Sequence, residues 1–254
     1  MKVYIGIPAR LGSTRFPNKP LCKILNFSMI QHCFLRSKLS KTADEVIVCG
    51  CDAEVEREVK KIGGKFIMTE KNVPRPALRV AEGFKQLGLD DEDIVVVVQG
   101  DEPLVHPDTI DLAIKPLIDE SDHIFVSNLC SKIDEKDWKD PAEIKVVTDL
   151  NKNALYMSRS PIPSIDHQEI RTAWFKQVCI MPFKWKFMKR FLYEMRETPL
   201  EKQESIEMLR ILEHGYKVRM VESLYKNKSV DNENDRLEAE KLMIEDEIYK
   251  KYKN

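Results

Sequence analysis

The sequence predicts an α/β fold of Rossmann-like type, a mostly parallel sheet with helices on both faces. Three observations carry this expectation. Short apolar runs alternate with stretches of helical periodicity, the pattern of strand, helix, strand units joined by right-handed crossovers. The run Ile94-Val95-Val96-Val97-Val98 is continuously β-branched, as a central strand covered on both faces must be. The 254 residues suit one large domain, or a domain with a small appendage, better than two equal ones. A glycine fingerprint for a dinucleotide is absent.

The elements follow in order. An apolar run from Val3 reads as a buried strand that breaks at Pro8 into a loop of small residues carrying Arg10, Arg15 and Lys19. Met29 to Leu39 reads as a helix packed on the sheet through Met29, Ile30, Cys33, Phe34 and Leu39. A strand over Glu45 to Cys51 leads into a helix from Asp52 to Ile62, with Asp52 as N-cap and Gly63-Gly64 as the stop. Lys65 to Met68 is a short strand, and Arg79 to Leu87 a helix before the Ile94 run. A helix over Pro107 to Lys115 follows, then strands at Ile124 to Cys130 and Ile144 to Thr148 separated by a charged turn around Trp138. A further strand from Ala154 enters Ser158-Arg159-Ser160-Pro161, where regular structure must end. Pro199 to Leu212 reads as one helix whose acidic face is solvated, Val218 to Ser223 as a strand, and Asn234 to Ile248 as a final helix with ordinary surface charge pairs.

Composition narrows the function classes. Lysine and arginine number 41 against 42 aspartates and glutamates, so no global field draws the chain to nucleic acid or to an acidic membrane. The expected partners are small molecules and a second copy. No stretch approaches the roughly 20 apolar residues of a membrane span, and no signal-peptide pattern opens the chain, so the expected location is the cytoplasm. Six cysteines lack the paired spacing of a disulfide framework or zinc site and read as reduced thiols. Among them, Cys49 and Cys51 read as small buried side chains on one face of a strand end.

Chemistry concentrates at strand ends. The loop from Pro8 to Lys19 suits a nucleoside triphosphate, because small residues let backbone N–H groups approach phosphates while three cations neutralise them. Its spacing is not that of a Walker A loop, for Gly12 has no following Gly-Lys-Ser/Thr. The Ile94 run ends in Gln99-Gly100-Asp101-Glu102-Pro103-Leu104, and in an open α/β sheet ligands gather beyond the carboxyl ends of strands. A carboxylate facing phosphates needs a cation between them, so Asp101 reads as a Mg²⁺ ligand, with capping of the next helix as the plainer alternative. Arg159 suits an arginine gripping an anionic substrate, with a surface ion pair as its alternative.

The motif Pro8-Ala9-Arg10-x-x-Ser13-Thr14-Arg15-x-Pro17-x-Lys19-Pro20-Leu21 resembles the signature of sugar nucleotidyltransferases, and in this form that of the CMP-Kdo synthetases, the 3-deoxy-manno-octulosonate cytidylyltransferases. The resemblance extends through Val98 to Leu104, Ile144-Lys145-Val146-Val147, Tyr156 to Pro163, Glu204 to Arg210 and Val230-Asp231. It implies a single domain of the nucleotide-diphospho-sugar transferase type, with a dimerisation and sugar-binding lobe between about 150 and 200, working as a homodimer. It implies an enzyme of lipopolysaccharide or capsule synthesis that joins CTP to a small acidic sugar with release of pyrophosphate. By this resemblance Pro8, Ala9, Arg10, Leu11, Ser13, Thr14, Arg15, Lys19 and Arg79 bind the nucleotide, with Arg10, Lys19 and Asp101 catalytic. Asp101 and Asp231 bind Mg²⁺, and Gln99, Arg159, Gln177, Gln203 and Glu204 meet the sugar acid.

Two departures stand out. Where the family carries His-x-Ser-Gly-Thr-Asp-Arg, this chain has Val73-Pro74-Arg75-Pro76-Ala77-Leu78-Arg79, and Gln177 stands where the family has a sugar-contacting histidine. An amide donates and accepts hydrogen bonds but takes up no proton, so the expected acceptor is Kdo or a related 3-deoxy sugar acid. A different acceptor or triphosphate, and a nucleotide-binding protein without turnover, are the alternatives.

Overall fold

The computed structural model describes residues 1–12, 16–120, 123–164, 173–225 and 227–253. Its strands are β1 (Val3–Ala9), β2 (Lys23–Ile24), β3 (Phe27–Ser28), β4 (Glu45–Gly50), β5 (Lys65–Met68), β6 (Ile94–Val98), β7 (Ser127–Ile133), β8 (Lys145–Thr148), β9 (Ala154–Ser158), β10 (Trp174–Val178), β11 (Ile180–Lys184) and β12 (Arg219–Glu222). Its α-helices are α1 (Met29–Ser37), α2 (Ala53–Lys61), α3 (Pro76–Phe84), α4 (Pro107–Asp119), α5 (Glu135–Lys139), α6 (Trp185–Tyr193), α7 (Pro199–Glu204), α8 (Glu207–Glu213), α9 (Glu233–Ile244) and α10 (Glu247–Lys250).

Strands β6, β1, β4 and β5 lie side by side and parallel, with β11 antiparallel on the β6 edge. The two-residue period of the strands divides the core. Ile5, Ile7, Val48 and Val96 pack with α1, α2 and α4, whereas Ile47, Val95 and Val97 pack with α3 and α6. A Cβ on Gly6 would stand 2.2 Å from Val80 Cγ1, so a glycine is what lets α3 lie this close to β1.

A second five-stranded sheet, in the order β12-β7-β10-β8-β9, is antiparallel except where β12 meets β7. The sequence pattern resolves its strands but not their separation into a sheet of their own. The chain passes directly from one sheet to the other at Cys179, between β10 and β11.

Several boundaries differ from expectation for physical reasons. Strand β1 continues through Pro8 to Ala9, because its ladder with β6 ends at Gly6 and Val97 and no N–H is needed on that edge beyond. Asp52 sits at the N-cap of α2, yet its carboxylate accepts from the Leu11 N–H at 2.8 Å rather than from the helix. Helix α3 starts at Pro76, ahead of Arg79, and Trp138 lies buried in α5 rather than in a turn. The helix expected over Pro199 to Leu212 breaks at Ser205, which has φ +55°. Its acidic face is not solvated: Glu201 is fully buried against Arg210 at 2.7 Å, and Glu207 accepts from the Ala77 N–H at 3.2 Å. The final helix divides where Asp246 caps the N–H groups of Ile248 and Tyr249. The six cysteines are free thiols, with Cys49 buried and Cys51 half-buried.

Beside α1, the buried His32 ring joins β2 to the C-terminus. Its Nε2 lies 2.7 Å from the Ile24 carbonyl oxygen, which can only accept, so Nε2 carries the proton and Nδ1 accepts from the Tyr252 hydroxyl at 2.8 Å. Burial pushes this imidazole from the ordinary 6.5 down to about 4. The unfolded chain therefore takes up a proton that the fold refuses. Stability from His32 is complete above pH 6.5 and is lost as pH falls toward 4. Urea unfolding at pH 7 and pH 4.5 should show a loss about 2–3 kcal/mol larger in the wild type than in His32→Gln.

Candidate active site

The site begins with one ammonium. Asn18, in a left-handed conformation with φ +56°, turns the chain into the short 3₁₀ turn Lys19–Leu21. From there Lys19 Nζ reaches Asp101 Oδ2 at 2.8 Å and Asp231 Oδ1 at 2.9 Å. The Val230 N–H donates to the Asp101 carbonyl at 2.9 Å, which ties the two aspartate segments together by their backbones. Burial alone would lower the Lys19 pKa, but the two carboxylates outweigh it and the net direction is up. Asp101 does not cap α4; His106 does, accepting from the Asp108 N–H.

Asp101 reaches this position through Gly100. A Cβ there would lie 2.8 Å from the Pro8 carbonyl oxygen, so the turn after β6 rests directly on the end of β1. Two cavities meet along this turn. The first, of about 300 Å³, is walled by Pro8, Ala9, Arg10 and Lys19 on one side and by Val73 to Pro76 on the other. The second, of about 220 Å³, is walled by Arg159, Lys176, Gln177 and Asp231. Gln99 and Asp101 stand on the border and line both.

The structure thus brings Pro8, Ala9, Arg10, Lys19, Gln99, Asp101, Arg159, Gln177 and Asp231 to one place, as expected. Leu11 is fixed through its backbone by Asp52. Ser13, Thr14 and Arg15 lie outside the described residues. Arg79 lines the first cavity, but its guanidinium donates to Thr69 Oγ1 at 2.6 Å and to the carbonyls of Glu70 and Val73 at 2.9 and 3.1 Å. Its part is to hold the far wall. Gln203 is exposed and lines neither cavity, and Glu204 likewise lines neither. The break at Ser205 brings Ser205, Ile206 and Glu207 to the wall instead. Glu204 acts behind Arg159, accepting from the Arg159 N–H at 2.8 Å and from Ser158 Oγ at 2.7 Å.

In the second cavity Asn128 fixes the orientation of Gln177. Asn128 Nδ2 donates to the Val178 carbonyl at 2.7 Å, so its Oδ1 accepts from Gln177 Nε2 at 2.6 Å, and Gln177 keeps its carbonyl oxygen for another partner. Lys176 pairs with Glu143 at 2.8 Å. Beneath Asp101, burial reinforced by the Asp101 charge pushes Glu102 up to about 8. Glu102 Oε2 and both amide atoms of Asn227 are buried without a hydrogen-bond partner among the described residues, so polar capacity is left over around this cavity. Sequence reading missed Glu102, Asn128, Lys176 and Asn227, none of which stands out from an ordinary polar residue before the fold brings it here.

A parallel sheet that gathers a basic loop and paired carboxylates beyond its strand ends is built to bind an anionic ligand there, and comparison with known proteins makes the chain a nucleotidyltransferase. More particularly, the chain belongs to the cytidylyltransferase family, whose model matches residues 5–229. It is 38% identical to a 3-deoxy-manno-octulosonate cytidylyltransferase of Geobacter metallireducens, over 92% of this chain and 95% of that one. It is 36% identical to an 8-amino-3,8-dideoxy-manno-octulosonate cytidylyltransferase of Shewanella pealeana, over 92% of this chain and 96% of that one. Among solved structures, a CMP:2-keto-3-deoxy-manno-octonic acid synthetase complexed with CTP superposes with a TM-score of 0.89 at 32% identity, covering 96% of this chain and 99% of that one.

The contact at Gly100 yields a direct check. Gly100→Ala should lower stability by about 1–3 kcal/mol in urea unfolding, since the new methyl meets backbone that cannot move aside cheaply.

Proposed function

We propose that this chain transfers CMP from CTP to the anomeric hydroxyl of 3-deoxy-manno-octulosonate, or of a sugar acid close to it, with release of pyrophosphate. One observation carries the reading: Lys19, Asp101 and Asp231 meet where a cavity edged by the basic loop adjoins a cavity edged by Arg159 and Lys176. The names of the relatives supply the nucleotide and the acid.

In this reading the first cavity takes the triphosphate. Arg10 and Lys19 counter its charge, and Ser13, Thr14 and Arg15 of the same loop join them, as the family motif implies. Arg79 holds the wall at the base end. The second cavity takes the acid, with its carboxylate toward Arg159 and Lys176 and its hydroxyls toward Gln99, the Gln177 carbonyl and the spare polar atoms of Asn227. The anomeric oxygen forms a bond to the α-phosphorus, its proton is released, the α–β bridging bond breaks, and pyrophosphate leaves. Catalysis of this kind is chiefly positioning and electrostatic stabilisation.

Two carboxylates gathered on one cation at the cavity border fit Mg²⁺, which binds through one or two carboxylates and the phosphates of its substrate. Asp101 and Asp231 would hold it, and when bound it supplies charge neutralisation at the phosphate oxygens. Lys19 keeps the two like charges together in the free chain. The reading also takes over from the family resemblance a homodimer made by the segment after Ser158-Arg159, and it keeps the cytoplasmic location that the sequence pattern leads one to expect.

Pyrophosphate release should appear with CTP and a 3-deoxy sugar acid and not with ATP, GTP or UTP, and EDTA should abolish it. Asp101→Asn should reduce kcat about a hundredfold or more with an unchanged circular dichroism spectrum. Full turnover by that variant, or equal turnover with every triphosphate, would overturn the assignment.

A further inference from the structure

One of the lysines that the fold buries stands apart. Lys145 opens β8 in the middle of the second sheet, paired with Lys176 of β10 on one side and with Ser158 of β9 on the other. Lys145 lines neither cavity and pairs with no carboxylate among the described residues. Its Nζ instead lies 2.7 Å from the Asp140 carbonyl oxygen, 2.7 Å from that of Glu143 and 2.6 Å from that of Arg159. An ammonium has three N–H donors and no acceptor, so these three carbonyls use its whole capacity.

The three carbonyls belong to the two segments that carry the cationic wall of the second cavity. Arg159 leaves β9 there, and its Nη1 donates back to the Pro141 carbonyl at 3.1 Å. Glu143 bears the carboxylate that holds Lys176 at 2.8 Å. Lys145, the 140–143 segment and Arg159 therefore close a ring of contacts in which one buried ammonium sets where both wall cations stand. A surface lysine would have served the solubility of the chain; burying this one gives up its hydration, and three charge-assisted bonds to backbone offset that loss.

We infer that Lys145 is a positioning residue for the acceptor: through Arg159 and the Glu143–Lys176 pair it sets affinity for the sugar acid and leaves affinity for the nucleotide alone. The inference rests on the cytidylyl-transfer reading. The same geometry makes arginine a poor substitute, because a planar fork cannot direct donors at three carbonyls arranged around one nitrogen.

Steady-state kinetics on full-length protein test it, with CTP and 3-deoxy-manno-octulosonate varied in turn for the wild type, Lys145→Met, Lys145→Arg, Arg159→Met and the double variant Lys145→Met/Arg159→Met. Displacing a binding group by about 1 Å can cost about a hundredfold. Lys145→Met should accordingly raise KM for the acid by at least about tenfold. KM for CTP should stay within about twofold, and Lys145→Arg, which keeps charge and volume, should follow Lys145→Met. On the Arg159→Met background the Lys145 substitution should raise the acid KM by a smaller factor than it does in the wild type, since one of the two groups it acts through is gone. A purely structural lysine would lower the active fraction without moving either KM. An unmoved acid KM in both Lys145 variants, or factors that multiply in the double variant, overturns the inference while wild-type turnover leaves the parent reading standing. A wild type that turns over no acid overturns both.

Discussion

The contact on which the rest depends is the Lys19 ammonium held between Asp101 and Asp231. Two carboxylates side by side repel, and a lone lysine half withdrawn from water is costly; together they offset one another. Their meeting requires the basic loop, the turn after β6 and the segment before α9 to converge, and each convergence has its own device. Gly100 lets the turn lie on β1, and the Val230 N–H binds the two aspartate segments.

Around this centre the chain repeatedly uses a charged side chain to hold backbone. Asp52 takes the Leu11 N–H, Arg79 takes carbonyls of the 69–73 loop, Glu204 takes the Arg159 N–H, and Lys145 takes three carbonyls. Loops at strand ends carry few backbone partners of their own, so such side chains stand in for a ladder. The residues that face the cavities are thereby fixed from behind by residues that do not.

This division explains what was legible in the sequence. The basic loop, Asp101 and Arg159 are legible because a strand-end position and an unusual local composition mark them before folding, whereas Gln99 and Asp231 enter only through the resemblance to the family. The continuous run of β6 marked the sheet for the same reason. The second sheet went unseen because antiparallel strands of mixed exposure read alike whichever sheet they join. The break at Ser205 went unseen because a left-handed serine carries no sequence mark, and it reversed the roles of Glu204 and Glu207: one supports Arg159, the other reaches the wall. Lys145 stood in a motif that resembled the family, yet nothing local tells a lysine that bonds backbone from one that meets solvent.

The ion pair between Lys19 and Asp231 spans 212 positions of chain. Residues far apart in the order of translation thus complete a single centre, and no nascent or prematurely terminated product that stops short of Asp231 can assemble it. The centre can form only once the ribosome has passed Asp231, so copies halted earlier are silent by construction.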